Sequence, residues 1–518
     1  MLIIVLLNRK TYLPLYFILI SIVLLSQIYG QSEEGYDEIF RPQFHFSPAQ
    51  NWMNDPNGLV FYKNEYHLFF QFNPFGNKAE HVGWGHAISK DLVHWKQLPV
   101  AIPEENGISA ASGSAVVDWN NSSGFGKNGE SPLVAIYTGV YKNILNQYLA
   151  FSNDSGRTWT QYDNNPVIKN SLNLRDPKVF WYSPEKKWVM VVSGGNKVIF
   201  YESKNLKEWK VLSEFEPADA VQGGWECPDF FPLEIDGNPN NIRWVLDVNL
   251  TNSGGMVGDS GAQYFIGRFN GVKFSEDDSV KKNGVHWVDY GKDFYAAVSF
   301  SDIPKSDGRR IWIGWISNWQ YAQDVPTFPW RGSQSIPRSL ALKTFADGVR
   351  LIQKPVIELK KLREKSFQFK NITLDKKDSL FTNTNLKGNT FEIEAEIEIR
   401  TASRFGFEVR KGINQKTVIG YDVKQHKLFI DRSNSGENKF NNLFTGLQTA
   451  PLLDSSKNIK LHIFVDLSSV ELFGDDGKIV MTDLIFPSAS SSGIDFFTND
   501  GKVIIKNLVV WNLKSIWH

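Results

Sequence analysis

Three short motifs set a carboxylate beside a proline just ahead of a strongly apolar run. They are Asn54-Asp55-Pro56 with GLVFY (58–62), Arg175-Asp176-Pro177 with KVFWY (178–182), and Glu226-Cys227-Pro228 with DFFPL (229–233). Taken singly, each reads as a turn former. A turn has no need of a carboxylate three times over, so the repetition points to acids collected at one place. Clustered carboxylates facing an uncharged substrate suit glycoside hydrolysis: one attacks the anomeric carbon, a second protonates the leaving oxygen, and a third holds sugar hydroxyls. Carboxylates crowded together raise at least one pKa, which keeps a proton donor protonated near neutral pH.

The elements that must bring these acids together read as strands. Five runs are rich in aromatic and β-branched residues: FYKNEYHLFFQF (61–72), PLVAIYTGV (132–140), KVFWYSPEKKWVMVVSG (178–194), IRWVLDVNL (242–250) and RIWIGWIS (310–317). A second pattern recurs between them, SKDLVHW (89–95), SNDSGRTW (152–159) and SKNLKEW (203–209), each a serine, a polar turn and a tryptophan. Units of about 50 residues, each with several short strands and a turn tryptophan, predict a β-propeller, and five strand runs predict five blades. Equivalent blade positions then converge on the mouth of the central channel. Long amphipathic helical patterns are missing from residues 40–345, which argues against a βα barrel.

Beyond about residue 345 the texture changes. The charged, helix-compatible KPVIELKKLREKSF (354–367) reads as a linker, and FEIEAEIEIR (391–400) and LHIFVDLSSVELF (461–473) alternate like sandwich strands. The expected organisation is a signal peptide over residues 1–30, a propeller over 40–345, a linker over 346–366 and a β-sandwich over 367–518. The signal is read from Arg9 and Lys10 ahead of LPLYFILISIVLLSQIYG (13–30) and the polar QSEEGYDE (31–38). A secreted protein, extracellular or periplasmic, is therefore expected, with no stable membrane insertion once the signal is cut. The alternative is a retained signal anchor. Cys227 is the only cysteine, so no intrachain disulfide forms and no thiol stands near the cleavage point for acylation.

Composition narrows the partners. Lys and Arg number 56, as do Asp and Glu, and no basic stripe appears, so nucleic acid and acidic membranes are not indicated. The 17 tryptophans suit stacking on sugar rings, although a large all-β core claims most of them. His67, His81, His86 and His94 lack metal-site spacing, and neither a phosphate loop nor a G-x-S-x-G elbow is present, so no metal and no cofactor is expected. Cys227 reads as a small packed thiol, because no base is paired with it. Nothing in the sequence marks an oligomeric state.

Seven motifs in order, WMNDPNG (52–58), FFQFNP (69–74), WGHAISKDLVHW (84–95), SGSAVVD (112–118), RDPKVFWY (175–182), WECPD (225–229) and GWISNWQY (314–321) with VPTFPWR (325–331), resemble the β-fructosidases of glycoside hydrolase family 32, bacterial levanases in particular. The resemblance extends to DLSSVELF (466–473) near the C-terminus. It implies a five-bladed propeller followed by a β-sandwich, and retaining hydrolysis of terminal β-D-fructofuranosyl linkages in levan, inulin or sucrose. By position it implies Asp55 as nucleophile, Glu226 as acid/base and Asp176 as transition-state stabiliser. In retaining enzymes the first two stand about 5 Å apart. Trp52, Met53, Asn54, Gln71, Trp84, Ala111, Ser112, Arg175 and Trp319 match positions lining the family's fructose pocket. Ala110-Ala111 depart from the aromatic that many relatives carry before SGSA, which removes one apolar wall, and Asp229 stands where many fungal members have glycine. The alternatives are a fructosyltransferase, with a sugar hydroxyl replacing water, and a carbohydrate-binding propeller without turnover.

Overall fold

The computed structural model describes residues 35–169, 173–218, 220–251, 260–277, 279, 284–375, 380, 381, 384, 386–452 and 457–517. The expected signal peptide lies outside them. Within the described residues no helix is long and apolar enough to cross a membrane.

Five four-stranded antiparallel sheets succeed one another from residue 51 to residue 355, each starting at the channel and working outward. Blade 1 is Asn51–Tyr62, Glu65–Asn73, Gly83–Ser89 and Trp95–Ile102. Blades 2, 3 and 4 begin with Ser109–Val117, Leu174–Tyr182 and Gly224–Ile235. Blade 5 is Tyr295–Ser299, Arg310–Ile316, Arg338–Phe345 and Gly348–Pro355. Its last strand falls inside the stretch that composition marks as linker, because Val349 and Leu351 alternate inward onto the blade core. The ring closes through Trp330–Arg331, which pairs parallel with the first strand of blade 1, and Ser333–Gln334, which pairs with Arg310–Ile316. Two of the five expected strand runs are hairpins: Lys63-Asn64 turns the chain inside 61–72, and Ser183–Glu185 does so inside 178–194.

The tryptophan repeat is one loop used three times, always between the third and fourth strands of a blade. In blade 1, Ser89 Oγ accepts the Asp91 amide at 3.1 Å, Asp91 Oδ1 accepts the Val93 and His94 amides, and Trp95 Nε1 donates to the Leu92 carbonyl at 3.1 Å. Trp159 Nε1 to the Gly156 carbonyl (3.1 Å) and Trp209 Nε1 to the Leu206 carbonyl (2.9 Å) repeat the last bond in blades 2 and 3. Leu92, Gly156 and Leu206 all have positive φ, which bends the chain so that the ring folds back over the loop.

The second domain packs a six-stranded sheet, with Phe391–Ile399 and Val503–Leu513 inside it, on a five-stranded sheet that includes Arg404–Lys411. Their inner faces share one apolar core. A short 3-10 helix, Ile357–Leu362, joins the domains and buries Leu359 and Leu362 with Phe46 and Phe70 of the propeller and Phe464 and Phe473 of the sandwich. Charge is buried there as well. His45 lies 2.7 Å from Asp466 and 2.8 Å from Glu471; burial opposes its charge, but those two hydrogen bonds outweigh it and hold the imidazolium up to about 9. Arg338 adds ion pairs to Glu471 and Asp289, so a propeller arginine and a sandwich glutamate complete one network.

Candidate active site

All five innermost strands carry the same irregularity near their N-terminal ends. Between Met53 and Pro56 in blade 1 two residues oppose only Gln71; between Ala110 and Gly113 in blade 2 two oppose Thr138. Blades 3, 4 and 5 repeat it between Arg175 and Lys178, Glu226 and Asp229, and Tyr295 and Val298. Such a bulge leaves two residues without ladder partners, bends the strand and re-aims its side chains. It also explains the prolines: Pro177 and Pro228 sit where no ladder N–H is required. The Asn54–Gly58 stretch is accordingly not a turn. It is the interior of a twelve-residue strand with a second bulge after Asn57, where Gly58 adopts φ 52° and an added Cβ would come within 2.6 Å of Trp84.

The acids do not share one blade position. Asp55 is the second bulge residue of its strand, Asp176 the first of its own, and Glu226 the last paired residue before its bulge. The first bulge residue is left-handed in blades 3 to 5 (Asp176 φ 62°, Cys227 φ 43°, Ala296 φ 54°) and not in blades 1 and 2, so different steps of the bulge face the channel. In register, the position of Asp176 is taken in blade 4 by Cys227.

Asp55 is almost wholly buried and accepts four hydrogen bonds. Gln71 Nε2 (2.8 Å), Ser112 Oγ (2.7 Å) and Cys227 Sγ (3.4 Å) donate to Oδ2, and Asn54 Nδ2 (3.1 Å) donates to Oδ1. Burial pushes its pKa up, the Ser112 bond pulls it back, and the nearby Asp176 charge pushes it further up. The Cys227 thiol is driven well above its ordinary value by burial, so it stands there as a neutral donor. Asp176 Oδ2 accepts the Cys227 amide at 3.0 Å and lies 3.2 Å from Arg175 Nε, whereas its Oδ1 is buried with no partner among the described residues. Glu226 pairs with Arg175 Nη1 at 2.6 Å and accepts from the Tyr295 hydroxyl at 2.7 Å. Burial raises its pKa; Arg175 opposes that rise, Asp176 adds to it, and the net direction is upward.

A cavity of about 490 Å³ is lined by Asn54, Asp55, Gln71, Arg175, Glu226 and Trp319, six of the residues singled out in the sequence. The others are not among its lining residues, although Asp176, beside Arg175, keeps 3% of its surface exposed. Trp52, Met53 and Trp84 are 0% exposed, which leaves them no surface for a sugar. Trp52 stacks on Trp319 (centroids 5.9 Å apart) and donates from Nε1 to Asn54 Oδ1 at 2.7 Å, which turns the Asn54 amide toward Asp55. Trp84 donates to the Ala111 carbonyl at 2.9 Å and so ties blade 1 to the blade 2 bulge; Ser112, in that bulge, reaches Asp55. Asp229 is held in a buried ion pair with Lys178 at 2.8 Å.

Sequence reasoning did not find Tyr295, Asn249 or Thr138. Asn249 donates to the Cys227 carbonyl and accepts the Ala296 amide; Thr138 Oγ1 accepts the Asp176 amide at 2.8 Å. Tyr295 has no proline near it, and its only signal is that DFYAAV (293–298) supplies the fifth innermost strand. Its hydroxyl favours ionised Glu226. Tyr295→Phe is therefore expected to move the alkaline limb of the pH–kcat/KM profile to higher pH and to lower kcat by about tenfold, the worth of one charge-assisted hydrogen bond. A limb that stays fixed or moves down would refute this link.

The comparisons agree with one another along the chain. Residues 45–355 match the glycosyl hydrolases family 32 N-terminal domain, and residues 358–512 match the family's C-terminal domain. The chain is 53% identical to a levanase of Bacillus subtilis over 93% of its own length and 72% of that protein's. It is 41% identical to an extracellular exo-inulinase of Aspergillus awamori over 88% of this chain and 91% of that one. The crystal structure of exo-inulinase from Aspergillus awamori superposes with a TM-score of 0.86 at 38% identity, covering 93% of this chain and all of that one. With a five-bladed propeller, a sandwich behind it and both family domains matched in order, this chain belongs to glycosyl hydrolases family 32.

Proposed function

We propose that the chain is a retaining glycosidase that releases terminal β-D-fructofuranosyl units from fructans, and from sucrose, through a covalent fructosyl-enzyme intermediate. The observation that carries this reading is that Asp55 of blade 1 and Glu226 of blade 4 line one cavity. Asp55, its Oδ2 held by three donors and its Oδ1 by one, attacks the anomeric carbon from Oδ1. Glu226, with its pKa raised, gives its proton to the leaving oxygen and then takes one from water. Asp176 has a buried acceptor oxygen to spare for the fructosyl hydroxyls. Arg175 bridges Glu226 and Asp176, and it is kept charged by them. Among the described residues the cavity lining comes from the propeller alone, which places the reaction there.

Secretion is part of the proposal and rests on the apolar segment 13–30 and on the extracellular exo-inulinase relative. The test is incubation of the purified protein with levan, inulin and sucrose, with the product followed by NMR. Fructose is expected as the product, with the β-anomer appearing first and mutarotating afterwards. Release of the α-anomer first would refute retention, and absence of fructose from all three would refute the substrate class.

A further inference from the structure

The innermost strands run away from the catalytic acids and end at a second, larger cavity of about 640 Å³. Its lining starts at Lys178, two positions after Asp176 on the same strand, and reaches Trp181, five positions after Asp176 and roughly 17 Å from it along the channel. Two features of this cavity have no use in the chemistry of the first.

One is a fixed aromatic face. Trp119 is 59% exposed, yet its ring is held: Nε1 donates to Asp302 Oδ1 at 2.8 Å and the indole leans on Tyr62 at 5.8 Å. An exposed indole that is already immobilised loses little entropy when something stacks on it. Trp181 lines the same cavity.

The other is an excess of positive charge. Lys178, Lys305 and Arg310 line the cavity, against Asp302 in the lining and Asp229 behind it. Each oxygen of both aspartates accepts a hydrogen bond, those of Asp302 from Trp119 and the Val117 amide and those of Asp229 from Lys178 and the Phe230 and Ser299 amides, so three cations face two carboxylates there. Arg310 has no carboxylate within ion-pair distance among the described residues. Its Nη1 donates to the Phe300 carbonyl at 3.1 Å and lies 3.5 Å from Ser299 Oγ, while Nε and Nη2 have no acceptor there. Burial pulls both Arg310 and Lys178 below their ordinary values, although Asp229 and Asp302 oppose it.

We propose that this cavity binds a sugar bearing an anionic group, with its carboxylate or phosphate on Arg310 and Lys305 and its ring on Trp119. Arg310 offers the planar fork that suits either anion, and Trp119 offers the apolar face. The site serves a ligand other than the neutral substrate of the first cavity.

Isothermal titration of the full-length protein tests it with fructose 6-phosphate, galacturonate, inorganic phosphate and fructose. One or both anionic sugars should bind at least tenfold more tightly than fructose and than phosphate, and the tighter of the two identifies the anionic group. Trp119→Ala, an exposed position that spares the core, and Arg310→Gln should each weaken that binding tenfold or more while sucrose hydrolysis stays unchanged. Trp319→Ala, in the lining of the catalytic cavity, should leave it intact, which places it outside that cavity. The proposal is overturned if no anionic sugar binds, if fructose or phosphate alone binds as tightly, or if Trp119→Ala has no effect.

Discussion

Asp55→Asn is expected to lower fructose release from levan and sucrose by about 10⁴- to 10⁶-fold, the scale of losing a nucleophile. An amide of the same shape cannot form the ester on which the proposed route depends. The protein should nevertheless fold. A neutral amide costs less to bury than a carboxylate, and this offsets part of the penalty that arises because only the amide oxygen accepts. Asp55 receives donors on both oxygens, so Asn54 or the group formed by Gln71, Ser112 and Cys227 must face an N–H₂. One such mismatch is worth on the order of 1–3 kcal/mol. A thermal melt and a circular dichroism spectrum therefore accompany the rate measurement. A folded, inactive variant supports the assignment, and a folded variant with more than a few per cent of wild-type activity removes Asp55 from the role.

Much of this site can be read in the sequence because its signals are local. A carboxylate, a proline and an apolar run lie within eight residues, and three such groups recur at blade spacing. What could not be read is the bulge. Asn54–Gly58 has every residue of a turn, yet it lies inside a strand, because the sheet context supplies hydrogen bonds on either side and absorbs the irregularity as two bulges. The same device hides which step of each motif faces the channel, so that Glu226 and Cys227 exchange the places a simple register would give them. Trp52, Met53 and Trp84 belong to conspicuous motifs but act from behind, and only burial distinguishes a residue that touches a sugar from one that holds its neighbour. Tyr295 and Thr138 reach the acids across neighbouring blades, a relation that depends on how the blades pack and leaves no trace in their own surroundings.

Glu226→Gln separates the two chemical steps that Asp55→Asn removes together. On sucrose or levan the leaving group is a sugar alkoxide that needs a proton, so kcat should fall about 10²- to 10⁴-fold. On a β-fructofuranoside with a nitrophenol leaving group, formation of the intermediate needs little proton donation, and the loss should be much smaller in the first turnover, with a burst followed by slow hydrolysis. The pH profile provides a second check. Because burial and the Asp176 charge raise the Glu226 pKa, the wild-type acid stays protonated into the range where an ordinary glutamate has ionised, and activity falls on the alkaline side as that proton is lost. The acid limb requires ionised Asp55, whose pKa is also raised, so activity is lost as pH falls through it. Glutamine cannot titrate, hence the variant should keep the acid limb and lose the alkaline one. Arg175 remains paired with Asp176 in the variant, so substrate affinity should change less than kcat. An unaltered alkaline limb would assign the proton donor to another group, and equal losses on both substrates would show that the substitution had disturbed the cavity and not the proton.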